Sequence, residues 1–356
     1  MSRFLSERFA ALEAYVPGEQ PADIQEYIKL NTNESPYPPA PGVIAAVNAA
    51  EGGRVYLYPQ PDGPLLIRRL AEFYGVSPEN VIIGNGSDEI LAFAFLAFCD
   101  QKRGVCFPDI TYGIYPVYTE LYGIPSRRVP LREDFSIDPA DYFDIGSNIV
   151  IANPNAPTGI ALKPCDIEAI LQKNPDYLVL VDEAYVDFGA ESVIPLIHKY
   201  ENLLVVHTYS KSRSMAGARL SYAIGQAALI ADMNKMKYSF NPYNVNSMTQ
   251  AAGIAALNED AYYQEMRRRI IETRGFTESA LRELGFEMTK SSANFVFAKR
   301  PGTSGYELYM ALKEKHILVR NFNKPRISDY LRITIGTKEQ MDKFITAVKE
   351  ILGVRS

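Results

Sequence analysis

The sequence predicts an α/β protein, a mostly parallel sheet with helices on both faces, followed by a smaller α+β unit. Short, continuously apolar runs such as Leu178 to Val181 and Leu203 to Val206 have no polar face and read as strands buried on both sides, as parallel strands are. These runs alternate with helical patterns through the middle of the chain, which is how a helix-covered sheet is written in sequence. A length of 356 residues exceeds twice the usual domain, so a large domain and a smaller one are expected.

Asn31 to Pro41 comes first. Pro36, Pro38, Pro39 and Pro41 remove backbone donors, so an irregular arm is expected there. The alternation then runs through a helix at Gly63 to Tyr74, a strand at Asn80 to Ile83 and an apolar helix at Ser87 to Cys99. It continues with a strand at Val105 to Pro108, a helix at Tyr112 to Tyr122, a strand at Asn148 to Ala152 and a helix at Cys165 to Gln172. Strands at Tyr177 to Val181, Leu203 to Thr208 and Leu220 to Ile224 complete it. A long helix, Ala261 to Leu284, would leave this domain. Beyond it lie strands at Phe295 to Ala298, Ile317 to Arg320 and Leu331 to Ile335, with helices at Gly305 to Lys315 and Lys338 to Leu352. The expected division is an arm over 1–42, a large domain over 43–258 and a small one over 259–356.

Composition narrows the function. Hydrophobic residues at 47% and charged ones at 22% are globular values and exclude a disordered or collagen-like chain. With 37 Lys and Arg against 42 Asp and Glu, the net charge of −5 offers no field for nucleic acid or an anionic membrane. The basic run Arg267 to Arg269 reads as a solvated helix face. The longest apolar run, Ile90 to Cys99, falls far short of the ~20 residues that span a bilayer. Met1 to Ala11 carries Arg3, Glu7 and Arg8 without an apolar segment, so no signal peptide and a cytoplasmic location are expected. Three cysteines without a CxxC pair suit a reducing compartment. His198, His207 and His316 stand apart from one another and from cysteine, so no metal site is expected.

Open α/β sheets bind ligands beyond the carboxyl ends of their strands, so the polar residues just after each apolar strand carry the chemistry. Gly84 to Glu89 links a strand to a helix, where the amides of Ser87 and Asp88 would bind an anion that Gly86 lets approach; alone, it reads rather as an ordinary helix capped by Ser87. Asn153 to Gly159 is a Pro-rich turn after the next strand. Asp182 follows an apolar strand with no Lys or Arg beside it in the chain, and needs a cap or a ligand cation. Lys211, among small residues after a buried strand, is a candidate nucleophilic amine, and Arg219 would clamp a phosphate with its planar fork.

Together these segments resemble the histidinol-phosphate aminotransferases, pyridoxal-phosphate enzymes of fold type I. Thr208 to Gly217 fits the cofactor-lysine pattern of class II aminotransferases at every constrained position. Tyr15 to Glu19, Leu30 to Glu34, Tyr58 to Pro61, Gly84 to Glu89, Tyr112-Gly113, Asn153 to Gly159, Asp182 to Tyr185 and Leu331 to Gly336 extend the resemblance along nearly the whole chain. The resemblance implies a seven-stranded, mostly parallel sheet in the large domain, and pyridoxal 5′-phosphate carried on Lys211. Asp182 would pair with the ring nitrogen, Asn155 and Tyr185 with the phenolate oxygen, and Tyr112 would stack on the ring. Ser87, Asp88, Ser210, Arg219 and, more weakly, Thr208 would hold the phosphate, joined by Tyr58 of a second copy in a homodimer with shared active sites. Arg332 would bind a substrate carboxylate, and Arg320 and Tyr15 a distal phosphate.

The activity implied is transfer of an amino group from histidinol phosphate to 2-oxoglutarate in histidine biosynthesis. Aromatic amino-acid transamination and threonine-phosphate decarboxylation are the rivals on this scaffold. A ligand-sensing domain of a transcription regulator would need a winged helix before Asn31, for which about 30 residues are too few. Gln60, Ala156 and Ser221 depart from the family's frequent residues, and Ser212-Arg213-Ser214 lacks an aromatic often found there.

Overall fold

The computed structural model describes residues 5–21, 23–49 and 55–354. Arg3, part of the reading of the N-terminus, lies outside the described residues. The regular elements in chain order are β1 (Ile28–Lys29), α1 (Pro41–Asn48), α2 (Pro64–Tyr74), β2 (Val81–Asn85), α3 (Ser87–Phe98), β3 (Val105–Pro108), α4 (Ile114–Tyr122) and β4 (Ser126–Val129). Then follow β5 (Asn148–Ala152), α5 (Pro164–Lys173), β6 (Val179–Asp182), β7 (Leu203–Thr208), β8 (Leu220–Gly225), α6 (Ala227–Phe240), α7 (Ser247–Asn258) and α8 (Asp260–Glu283). The chain closes with β9 (Glu287–Met288), β10 (Phe295–Lys299), α9 (Gly305–Glu314), β11 (Ile317–Leu318), β12 (Arg320–Asn321), β13 (Leu331–Thr334) and α10 (Lys338–Ile351).

The large sheet has seven strands in the order β2-β8-β7-β6-β5-β3-β4, and only β8 runs against its neighbours. Its central strands are buried throughout, and alternate residues feed two cores. Ile149, Ile151, Val179, Val181, Leu203 and Val205 face one layer. Val150, Ala152, Leu180, Leu204 and Val206 face the other, beneath α3, α4 and α6. This alternation is why the strands read as unbroken apolar runs.

A third core lies between a four-stranded antiparallel sheet, ordered β12-β13-β10-β9, and helices α8, α9 and α10. α10 shows how such an element is specified. Thr337 and Gln340 form a capping box, and Met341, Phe344, Ile345 and Val348 make one apolar stripe. The segment before the large sheet is sewn into this core, with β1 parallel to β11 through Ile28↔Ile317 and Lys29↔Leu318, and Leu30 buried within it.

Several elements differ from expectation. β4 is the seventh strand, and its sequence, Ser-Arg-Arg-Val, carries no apolar run because it is an edge strand with three exposed residues. The strand expected over Ile317 to Arg320 is two short pieces, β11 pairing with β1 and β12 with β13. α4 begins at Ile114 rather than Tyr112, which leaves Tyr112 in the loop above the sheet.

Candidate active site

Loops after the parallel strands, the start of α3 and the inner face of β12–β13 enclose one cavity of about 810 Å³. Tyr15, Ser87, Asp88, Tyr112, Asp182, Tyr185, Ser210, Lys211, Arg219, Arg320 and Arg332 all line it. Residues spread from 15 to 332 converge because the strand ends face the third core across a single cleft.

One end is a cradle for an anion. Ser87 and Asp88 open α3, where intrahelical bonding leaves amides free. Arg219 reaches over them and donates to Asp88 Oδ2 at 3.1 Å. Gly86, at φ +82°, is required on two counts: its backbone is left-handed, and a Cβ there would lie 2.3 Å from an Arg219 nitrogen. The N-cap is Gly86 and no side chain caps the helix, so the alternative of an ordinary Ser87-capped helix falls away. Thr208 donates to the Ser210 hydroxyl at 2.9 Å and accepts from the Ser210 amide at 3.1 Å, turning both hydroxyls toward the cavity wall.

The middle is organised around Asp182 and Lys211. Asp182 is buried; Tyr115 donates to its Oδ2 at 2.9 Å and the Ala184 amide to its Oδ1 at 3.2 Å. Burial pushes the Asp182 carboxyl up to about 6 against the pull of these two bonds, so the group is short of a cation. Lys211 Nζ donates to Thr32 O at 3.1 Å and stands 5.8 Å from the Tyr185 ring. The Tyr185 hydroxyl accepts from Asn33 Nδ2 at 3.0 Å. Tyr112 donates to Asp88 Oδ1 at 2.9 Å, and burial, then the Asp88 charge, raises its phenol well above the ordinary value.

The far end belongs to two arginines. Antiparallel pairing of β12 with β13 puts Arg320 directly opposite Arg332, on one face of the sheet. Arg320 donates to Val16 O and Pro17 O at 3.3 Å each, and Arg332 to Asn31 O at 2.9 Å. Arg332 Nε is buried without a partner. Among the described residues no carboxylate pairs with either guanidinium, and burial, reinforced by Arg320, lowers the Arg332 pKa. Tyr15 stands edge-on to Tyr112 with ring centroids 5.9 Å apart, its phenol raised by burial against the pull of both arginines. Like charges side by side without a counter-ion make a site for an anion.

Asn155 and Tyr58 stand apart from the cavity wall. The Asn155 amide lies just behind it, bonded to Ile110 O at 2.9 Å, Thr158 Oγ1 at 3.1 Å and the Thr111 hydroxyl at 2.8 Å, while Ala156 and Pro157 form the surface. Tyr58 is 81% exposed and stacked on Tyr243 at 4.6 Å. Ser212, Arg213 and Ser214 do not line the cavity. Arg213 turns the other way, pairing with Asp260 at 2.8 Å among the rings of Phe73, Tyr209 and Tyr263, so the missing aromatic leaves the pocket's shape untouched. Sequence reasoning missed Thr32, Asn33, Thr111 and Tyr115. Only the first two carried a signal, lying in the Asn-rich arm, whereas Thr111 and Tyr115 act through bonds to residues 44 and 67 positions away.

Residues 25–348 match the family of class I and II aminotransferases. The chain is 49% identical over 354 residues to a histidinol-phosphate aminotransferase of Marinomonas sp., covering 99% of this chain and 100% of the relative. It is also 49% identical over 352 residues to histidinol-phosphate aminotransferase 1 of Bradyrhizobium diazoefficiens, covering 99% and 100%. The chain belongs to the histidinol-phosphate aminotransferase family. The fold agrees: the structure of the Sinorhizobium meliloti histidinol-phosphate aminotransferase in complex with pyridoxal-5′-phosphate superposes with a TM-score of 0.88 at 24% identity, covering 99% of each chain. The same architecture serves the L-threonine-O-3-phosphate decarboxylase of Porphyromonas gingivalis, with a TM-score of 0.79 at 22% identity over 92% of this chain and 99% of that one.

Proposed function

We propose that the protein is a pyridoxal-phosphate-dependent aminotransferase that moves the amino group of histidinol phosphate to 2-oxoglutarate, giving imidazole acetol phosphate and glutamate. The observation that carries this is the arginine pair, with which no carboxylate pairs among the described residues, in the same cavity as Lys211 and the cradle at the start of α3.

The residues fit the cofactor. The cradle that a Cβ at Gly86 would fill suits a phosphate, and the buried, cation-starved Asp182 suits a protonated ring nitrogen. Ser87, Asp88, Ser210 and Arg219 would hold the phosphate, Tyr112 and Tyr185 would fix the ring, and Asn155 would reach it by turning its amide outward. When bound, pyridoxal 5′-phosphate supplies an electron sink for negative charge developing at the substrate's Cα. Lys211 Nζ would take the Cα proton as general base. Arg332 and Arg320 hold the anion at the substrate's other end, phosphate in one half-reaction and carboxylate in the other. Tyr15, which lines the same cavity, would face the distal phosphate beside Arg320.

Three further readings go with this one. The exposed apolar residues Val55, Tyr56, Leu57, Tyr58, Leu65 and Phe240 support a homodimer in which Tyr58 reaches the partner's cradle. The chain divides into an arm over 1–42, a large domain over 43–258 and a small one over 259–356, in keeping with the third core between α8, α9, α10 and their sheet. Among the described residues no helix is long and apolar enough to cross a membrane, and a cytoplasmic location suits three cysteines that form no disulfide.

The test is selectivity. Arg320→Ala should cost histidinol phosphate roughly tens to several hundred-fold in kcat/KM, the worth of a charge-assisted contact, and phenylalanine only a few-fold. Equal losses for both donors would mean that Arg320 braces the 16–17 segment rather than reading a phosphate. Aromatic transamination would then be the better reading.

A further inference from the structure

Tyr115 does not line the cavity, and the function just described gives it no part. It is wholly buried in the first turn of α4, a place where a phenylalanine would fill the same space. Its hydroxyl is nonetheless placed to a purpose: it donates to Asp182 Oδ2 at 2.9 Å, supplying one of the two hydrogen bonds that carboxylate receives. Its ring stands edge-on to Tyr112, centroids 5.7 Å apart and planes at 84°, and packs on Phe107 and Phe95 from behind. Tyr112 in turn donates to Asp88, which accepts from Arg219. One side chain thus touches the residue assigned to the ring nitrogen and the residue assigned to the ring face, and through the latter reaches the phosphate cradle.

We propose that Tyr115 is a positioning residue of the cofactor site, its hydroxyl fixing the Asp182 carboxylate and its ring fixing the face of Tyr112. The inference rests on the reading of Asp182 as the partner of the ring nitrogen. Charged and polar groups act on Asp182 from three neighbouring elements, His207 only through space because its ring is bonded to Glu183. Tyr115 from α4 and His207 from β7 favour its charged form, and Asp88 from α3 opposes it. Burial holds the Tyr115 phenol far above its ordinary value, so it stays a neutral donor and favours the ionised carboxylate throughout the working pH range.

The experiment compares the parent, Tyr115→Phe and Asp182→Ala as apoproteins, measuring the Kd of pyridoxamine 5′-phosphate, which cannot attach to Lys211, from about pH 5 to 8.5. Asp182→Ala reports the ligand's own titration, and the parent's advantage over it should vanish as pH falls through about 6. Tyr115→Phe keeps the ring and loses only the oxygen. It should bind about two-fold more weakly at pH 7 and about five-fold more weakly at pH 6, and its advantage should vanish about one pH unit higher, the effect of one hydrogen bond to a charged group. Tyr115→His, which retains a donor, should restore part of that unit. A merely structural tyrosine would lower the melting temperature and leave the pH midpoint where it is. An unmoved midpoint in Tyr115→Phe, with Asp182→Ala weak and showing only the ligand's own titration, would overturn the role of Tyr115 alone. A parent-like profile in Asp182→Ala would instead overturn the reading of Asp182.

Discussion

The two ends of the cavity solve the same problem, holding an anion, with opposite materials. At the cradle the donors are largely backbone, fixed at the start of α3, and the one guanidinium is already paired with Asp88. At the other end they are two side chains on β12 and β13 with no carboxylate between them among the described residues, one resting on carbonyls of the 16–17 segment. A rigid, internally neutralised cradle suits a ligand that stays. An uncompensated pair on long side chains suits ligands that alternate, because each arriving anion relieves the same repulsion. The difference therefore separates a resident cofactor from exchanging substrates before any ligand is placed.

The largest expected effect comes at Lys211, which both ends serve. Lys211→Ala should lower turnover about a hundred- to ten-thousand-fold, the range of a lost acid–base group. Mixing it with Tyr58→Phe chains, themselves impaired, should return part of the activity if Tyr58 crosses between subunits, since mixed dimers hold one intact site. No recovery despite proven subunit exchange would place the whole cradle within one chain. Gly86→Ala comes next and separates the ends. Its Cβ would displace Arg219, so pyridoxal phosphate should bind tens of times more weakly while the preference among donors stays as it was. A changed preference would mean that the ends are coupled.

The smallest effect is on stability. Asp182 titrates in the folded apoprotein at about 6, above its ordinary 3.8, so the fold holds the proton more tightly than the unfolded chain does. Stability should then fall as pH rises from about 4 to about 6, by up to about 3 kcal/mol, and stay low above that window. Asp182→Asn should remove this slope from urea-denaturation free energies of the apoprotein. An unchanged slope would show that Asp182 is solvated after all, and that the middle of the cavity is as open as its arginine end.

How much of this could be read beforehand follows burial and chain distance. The central strands were legible because every residue of β6 and β7 is buried, which forces an apolar run. β4, at the edge with Arg127 and Arg128 exposed, gave no such signal, nor did β1 and β9, two residues each and defined only by their partners. α6 and α7 were not singled out: α6 buries only Ile230, Met233 and Lys237, and the buried stripe of α7 is made of the small or polar residues Thr249, Ala252, Gly253 and Ala256 with Leu257 alone as a large apolar side chain. In the site, Asp182 ends β6, Lys211 comes just after β7 and Arg219 stands just before β8, so all three could be found from local patterns at strand ends. What satisfies Asp182 could not. The sequence left a cap or a ligand cation open, and part of the answer, Tyr115, arrives from another helix.

The pairing of β1 with β11 joins residues 289 positions apart, and Thr32, whose carbonyl receives the Lys211 amine, lies three residues beyond that clip. A chain growing from its N-terminus can complete the large sheet, and with it the phosphate cradle, long before Ile317 exists to receive Ile28. The start of the chain must wait for its end, with a closure entropy that grows only as the logarithm of the loop. Nascent protein would pass through a stage that can seat the cofactor's phosphate but has no wall above the lysine. A chain halted before β11 should thus leave Lys211 more open to water and to small amines than the finished protein does.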